Sequence, residues 1–399
     1  MIESLEGRPL SIALFSDSAF PIRNGVSVSI DALVKRLREL GHSTHLFAPR
    51  FPGFVDQDPN IRRLRSVMTP FAGGTPFAWP FLTGEVRFKH EQFDVVHVHT
   101  PWIAGMLGIR WAHQADIPVI ATYHTQYDRY IHYVPVAPDK LKRAVTVYHI
   151  RRLLNSCAQV IVPSPSALRW LRRMGVKAPT SVIPTGVPSP KRFVQFSERD
   201  RLGARPGQTI VLTCGRLAPE KNLGTLISAF SHAVKLDPSL VLWIVGDGPA
   251  RGEITTQVRS HGIGDNVRFF GSVERSQVDR FYAAADIFVF TSVTETQGLV
   301  VLEAMSYGLP VVVCRGGGAS TPIVEGVNGL KVRTDPSAIA EALLRVAHDE
   351  GLASKLCDGA KESAQKATIE VMADDTVQIY REAIGAASAA RPASPAKSC

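Results

Sequence analysis

Two glutamates eight positions apart, Glu295 and Glu303, bracket the start of the segment TETQGLVVLEAMSYGLPVV. The pattern puts Glu295 at the end of a loop and opens a helix at Gln297-Gly298, with Glu303 one to two turns into it. Carboxylates suit sugars because each accepts from two neighbouring hydroxyls. The helix start at Gly298-Leu299 offers backbone N–H groups to a phosphate. Glu303 stands among apolar residues (VVLEAM), where burial without a partner is costly, so a bound ligand is expected there. A second loop, CGRLAPEKNL, spaces Arg216 and Lys221 five apart after a strand and before a helix that begins near Asn222. A guanidinium and an ammonium at a helix N-terminus make a diphosphate clamp, with solvated surface charge as the alternative. A third, DSAFPIRNGVSVSI, passes from strand to helix through Asn24-Gly25. Glycine there lets the backbone approach a ligand, although an ordinary βα turn uses the same pair. It is not a GxGxxG fingerprint, which disfavours a dinucleotide cofactor.

These loops need strands before them and helices behind them. Short β-branched runs alternate with longer amphipathic stretches, the signature of βα units and parallel sheets. The first half offers the strands SIALFSD, STHLFAP, DVVHVHT, PVIATYH and AQVIVPS. Between the first two lies the helical pattern VSVSIDALVKRLRELG, closed by Gly41. The second half offers TIVLTCG, LVLWIVG, NVRFFGS, ADIFVFTS and LPVVVCR, with helices such as NLGTLISAFSHAVKL between them. Both halves thus share one α/β architecture without repeating sequence. The proline-marked stretch IPTGVPSPKRF is the linker. The expected division is 1–188 and 189–372 for two Rossmann-like domains and 373–388 for a C-terminal helix returning to the first. Residues 389–399 read as a disordered tail, because ASAARPASPAKSC is small and polar. Ligands of open parallel sheets bind beyond the carboxyl ends of the strands, where all three loops fall.

The 399 residues suffice for two cores, and 45% hydrophobic with 20% charged residues is ordinary globular composition. No apolar run approaches the ~20 residues that span a bilayer. The start MIESLEGRPLSIALF lacks the layout of a secretory signal. Five scattered cysteines without a CxxC pair suit a reducing cytoplasm and argue against a disulfide framework or a zinc site. Residues 1–190 hold 22 Lys and Arg against 13 Asp and Glu, whereas residues 191–399 hold 23 of each. The whole net charge of +9 therefore sits in the first half, which favours an acidic partner there.

On these motifs the chain resembles the family 4 retaining glycosyltransferases of the GT-B fold, over roughly residues 10–385. The Glu295-to-Glu303 pair, the GR-x4-K loop, the VGDGP turn from Gly246 to Pro249 and the glycine loop occur in the family's order. That fold implies two Rossmann-like domains whose parallel sheets face across a cleft holding the active site. The resemblance implies that Arg216 and Lys221 bind the donor diphosphate, that Glu303 holds the ribose hydroxyls and that Glu295 contacts the transferred sugar. Backbone amides around Gln297, Gly298 and Leu299 are to support sugar and phosphate, with Gly25 and Gly246 also on the donor. Val273, within FFGSVE, is to lie against the base. The stretches NGVSVSI, HVHTPWIAGMLG, TYHTQYDRYIHYV and TETQG look most like 1,2-diacylglycerol 3-glucosyltransferases. By that likeness His124 faces the transferred sugar, and Asn24, Asp128 and Tyr130 lie on the acceptor side. A structural role is expected for His97, which shares a strand-end face with His99; Trp102 stands where the family usually has Phe.

The implied reaction moves a hexose, with UDP-glucose as the expected donor, to a lipid hydroxyl, with diacylglycerol expected. No DxD-type pair appears in a suitable loop, so no metal and no cofactor is implied; cations and a helix N-terminus take that role. No enzymic nucleophile is evident below the sugar, which favours a front-face reaction with the leaving phosphate as base. Lys140, Lys142, Arg143, Arg151 and Arg152 surround Leu141, Val145, Tyr148 and Leu154, and Arg169, Arg172 and Arg173 flank Trp170. Such basic, part-apolar helices suit an anionic membrane surface, so a peripheral place on the cytoplasmic face of the cell membrane is expected. Transfer of mannose or another hexose to a different lipid, such as phosphatidylinositol, or to a soluble acceptor is the nearest rival. A nucleotide-sugar 2-epimerase would share the fold but leaves CGRLAPEKN and ETQG unused. A nucleic-acid-binding protein would leave the glutamate pair unexplained.

Overall fold

The computed structural model describes residues 7–22, 24–68, 76–78, 92–129 and 138–390. They divide into two units, Met1–Pro184 with Ile369–Cys399, and Thr185–Thr368. In the first unit the buried apolar runs form β1 (Ser11–Phe15), β2 (Ser43–Pro49) and the short β3 (Ile61–Leu64), with α1 (Gly25–Glu39) after β1. β4 (Ser66–Met68) and β5 (Pro76–Ala78) pair as a separate antiparallel ribbon. β6 (Val95–Val98), α2 (Ile103–Gln114), β7 (Val119–Thr122), α3 (Asp139–Leu154), β8 (Gln159–Val162), α4 (Pro165–Arg173) and β9 (Thr180–Val182) follow. The seven-stranded sheet is parallel throughout, in the order β3-β2-β1-β6-β7-β8-β9.

The second unit holds α5 (Gln195–Arg201), β10 (Thr209–Cys214), α6 (Leu223–Leu236), β11 (Leu240–Val245), α7 (Arg251–Ser260) and β12 (Val267–Gly271). It continues with α8 (Arg275–Ala284), β13 (Ile287–Phe290), α9 (Leu299–Ser306), β14 (Val311–Cys314), β15 (Leu330–Val332), α10 (Pro336–His348) and α11 (Glu350–Ala364). Its parallel sheet runs β12-β11-β10-β13-β14-β15. β11 (LVLWIV) is buried along its whole length, as a strand covered on both faces must be.

α12 (Ile369–Ala390) is counted with the first unit. Its Met372, Val377, Tyr380 and Ile384 share a core with Ile30, Leu33 and Leu37 of α1, whose spacing is that of one helix face. This helix starts four residues before the expected 373 and runs through residues 389 and 390, which were expected in the tail. Residues 391–399 lie outside the described ones. The division between units falls at Pro184, four residues ahead of the expected 188, because the backbone of Thr185 is tied to the second unit. Gln297 does the tying: its Nε2 donates to the Thr185 carbonyl at 3.0 Å and its Oε1 accepts from the Thr185 N–H at 2.8 Å.

Candidate active site

In the second unit the chain builds β10, β11 and β12 outward and then returns to place β13 beside β10. Such a reversal opens a crevice beyond the carboxyl ends of the two strands. Arg216 and Lys221 follow β10, and Glu295 follows β13. The two loops are knit together, since Thr291 Oγ1 donates to the Lys221 carbonyl (2.9 Å) and Ser292 Oγ to the Glu220 carbonyl (2.8 Å). Lys221 ends a single 3-10 turn, Pro219–Lys221, and its Nζ forms an ion pair with Glu295. Both side chains are about one-fifth exposed. Arg216 pairs with Glu220 and keeps half of its side chain in solvent. Gly246 closes β11 against the first loop: a Cβ there would stand 1.9 Å from the Gly215 carbonyl oxygen, at a φ of 133°. Only glycine fits.

Gly298 caps α9, and its carbonyl accepts from the Val301 N–H at 3.0 Å, so Leu299 begins the helix as the sequence pattern requires. The Gln297 carboxamide is spent on Thr185, which leaves backbone as its means of reaching a ligand. Gly318 packs on this turn so tightly that a Cβ would lie 1.7 Å from the Thr296 carbonyl oxygen. The triple glycine at 316–318 was the readable sign of that contact, and sequence reasoning passed over it. Val273 lies in the loop between β12 and α8, partly buried against the core.

Glu303 corrects one inference. Its burial is already matched by the protein: Arg275 holds both oxygens (Nη2–Oε1 2.7 Å, Nη1–Oε2 3.3 Å) and Tyr282 donates to Oε2 at 2.8 Å. Apolar surroundings therefore do not by themselves call for a ligand. Burial pushes the Glu303 carboxyl up, against the pull of Arg275 and Tyr282. Arg275 and Tyr282 stand seven apart on α8, two turns of one face, a spacing that could have flagged them.

The first unit reverses its strand order in the same way between β1 and β6. Asp17, just past β1, is partly buried; its Oδ1 accepts from the Ala104 N–H (3.0 Å) and its Oδ2 from Thr100 Oγ1 (2.7 Å). It thereby caps α2, whose own N-cap, Trp102, makes no side-chain bond. Burial raises the Asp17 carboxyl. Asn24 caps α1: its Oδ1 accepts from the Val26 and Ser27 N–H groups, both at 3.0 Å, and Gly25 is the first helical residue. His97 lies in β6 and His99 one residue past it, and His124 lies two residues past the neighbouring β7. His97 is structural as expected, bonded to Tyr380 Oη (2.6 Å) and Thr122 Oγ1 (2.7 Å). His99 Nδ1 is 3.0 Å from His124 Nε2.

Asp128 does not present its carboxylate outward. Trp170 Nε1 donates to it at 3.1 Å, Arg143 Nε stands 3.4 Å away, and its side chain is 1% exposed, so it ties α3 to α4. Tyr130 lies outside the described residues. On α3, Leu141, Val145 and Tyr148 form an exposed stripe, whereas Leu154 is core, contrary to expectation. Its position follows from spacing, since Leu154 continues the buried face of Ile150 and Leu153.

Residues 194–367 match the family described as Glycosyl transferases group 1, and residues 23–189 match Glycosyltransferase Family 4. An alpha-monoglucosyldiacylglycerol synthase of Streptococcus pneumoniae is 33% identical over 321 residues, which cover 76% of this chain and 70% of that protein. The chain belongs to glycosyltransferase family 4. It is a glycosyltransferase with two parallel-sheet α/β domains of the GT-B type. A second family member of like name, from Acholeplasma laidlawii, is 27% identical across 94% of this chain and 98% of its own. Among solved structures, sucrose-phosphate synthase from Thermosynechococcus elongatus superposes with a TM-score of 0.78 at 25% identity, covering 95% of this chain and all of that one. The family match thus spans both the Arg216–Glu303 site and the histidine cluster.

Proposed function

We propose that this glycosyltransferase moves glucose from UDP-glucose to the free hydroxyl of diacylglycerol, with retention and without a metal. The observation that carries the reading is the convergence of Arg216, Lys221, Glu295 and the start of α9 beyond β10 and β13. Two cations and a helix N-terminus match a leaving diphosphate, whose developing charge they stabilise. In the free protein Lys221 and Glu295 neutralise each other. A nucleotide sugar replaces that pair, with phosphate for Lys221 and sugar hydroxyls for Glu295. Glu303, oriented by Arg275 and Tyr282, accepts from the ribose hydroxyls. His124 contacts the transferred sugar, and the leaving phosphate takes the acceptor proton.

The lipid acceptor draws support from the two relatives named as diacylglycerol glycolipid synthases. It draws further support from the exposed Leu141–Val145–Tyr148 stripe beside Lys140, Arg151 and Arg152. No helix among the described residues is long and apolar enough to cross a membrane. The proposed location is peripheral, on the cytoplasmic face of the membrane, in keeping with the basic, part-apolar stripe on α3. A soluble acceptor is the second reading, favoured by the likeness to sucrose-phosphate synthase. The test is a matrix of UDP-glucose, UDP-galactose and GDP-mannose against detergent-dispersed diacylglycerol, phosphatidylinositol and soluble sugar phosphates. Transfer should be strongest from UDP-glucose to diacylglycerol; preferential transfer to a soluble sugar phosphate would replace the lipid reading.

A further inference from the structure

Three histidine rings, His97 and His99 buried and His124 partly buried, meet at the carboxyl ends of β6 and β7. His97 is held on both nitrogens by hydroxyls, those of Tyr380 on α12 and Thr122 on β7. The His99 ring lies tilted against it with ring centroids 4.0 Å apart, and the His99 and His124 rings stack at 5.3 Å. Burial depresses all three, His97 to about 3, His124 to about 4 and His99 well below the ordinary value. Each ring is therefore neutral near pH 7 and carries one N–H. One proton must lie between His99 Nδ1 and His124 Nε2, which are 3.0 Å apart. The other His99 nitrogen, Nε2, is buried with no hydrogen-bond partner among the described residues. Buried donors are left unpaired less often than buried acceptors, which puts the His99 proton on Nδ1.

We propose that His99 is a positioning residue that donates its Nδ1–H to His124 Nε2, fixing the His124 ring and leaving the His124 proton on Nδ1. His124 then meets the transferred sugar as a hydrogen-bond donor and is not the base for the acceptor proton. This consequence rests on the reading above that His124 works at the sugar. The contact of His99 with His97 and the bond between His97 and Tyr380 make α12 part of the support.

The test uses the full chain with 15N-labelled histidine, long-range proton–nitrogen correlation spectra, and assignment by variants. The wild type should show His124 with a protonated Nδ1 and a bare Nε2. His99→Leu should lose that pattern and lower kcat for transfer by about 10²-fold, the usual effect of a misplaced catalytic group. KM for UDP-glucose should stay within about twofold, because the loss falls on the chemical step. His99→Asn, with an amide where Nδ1 stood, should restore most of the rate. A wild-type His124 protonated on Nε2, or an unchanged His124 pattern in His99→Leu, overturns the proposal. If His99→Leu fails to fold, as judged by circular dichroism and UDP binding, the wild-type and His99→Asn spectra decide. Normal turnover in His124→Asn alongside the expected wild-type spectrum removes the sugar role of His124 while the positioning contact stands.

Discussion

Lys221 and Glu295 hold opposite charges in one ion pair, and each has a separate task in the proposed reaction. Lys221→Ala or Arg216→Ala should slow transfer by at least ~10²-fold, since each removes charge aimed at the leaving diphosphate. Steady-state kinetics with both variants near wild-type would discard the clamp. For the same reason activity should persist in excess EDTA; complete loss, restored by Mg²⁺ or Mn²⁺, would show that the cations do not suffice. Tyr282→Phe deletes one bond to Glu303 while Arg275 keeps its two. A hydrogen bond to a charged group contributes about 1.5–3 kcal/mol, so UDP should bind on the order of tenfold more weakly, with the fold intact by calorimetry. Unchanged UDP affinity would separate Tyr282 from the donor site. The glutamates and cations were legible because their types match sugar and phosphate chemistry. The partners of Glu303 were not, since Arg275 and Tyr282 lie twenty or more residues upstream and meet it only through the packing of α8 on α9.

The elements that read clearly were those with long apolar runs. β10, β11 and β14 are central and buried, so burial selects continuous Val, Ile and Leu. β3 (IRRL), β9 (TSV) and β15 (LKV) sit at sheet edges, where one neighbour suffices and no apolar run is demanded. Their order in the sheet needs tertiary contacts that no local pattern carries. α3 shows the same limit on a helix: its basic residues were legible, their pairing was not. Lys142 pairs with Asp139 and Arg143 with Asp128, which leaves Lys140, Arg151 and Arg152 to act with the apolar stripe. Each basic residue near an anionic bilayer contributes about 1 kcal/mol, screened over about a Debye length. Reversing these three to Glu should abolish co-sedimentation with anionic vesicles and slow transfer to diacylglycerol. UDP binding should survive, because Arg216, Lys221 and Glu303, proposed to hold it, belong to the other unit. If the wild type ignores anionic vesicles at low salt, the helix is ordinary solvated surface.

At the scale of the whole chain, stability should carry the imprint of the histidine cluster. Unfolded histidines titrate near 6.5, whereas folded His97 and His124 do so at about 3 and about 4. Between those values the unfolded state binds more protons, so acid favours unfolding. The stability these rings contribute is fully present above about pH 6.5 and is lost as pH falls through the folded values. Asp58 and Asp237 act in the same sense, since their folded carboxyls lie below the ordinary 3.8, but their losses begin only near that value. Asp17, raised by burial, acts in the opposite sense and gains as pH falls. A decline of Tm that begins near pH 6.5 therefore belongs to the depressed histidines, the cluster together with His42. Calorimetry from pH 8 to pH 4 should show a flat region above 6.5 and a falling one below. His97→Asn, which keeps a polar group between Tyr380 and Thr122 but cannot titrate, should be less stable at pH 8 and should fall less steeply below 6.5. A variant that reproduces the wild-type slope would mean that His97 is not the group that unfolding protonates, and that α12 does not rely on a neutral His97 to hold Tyr380.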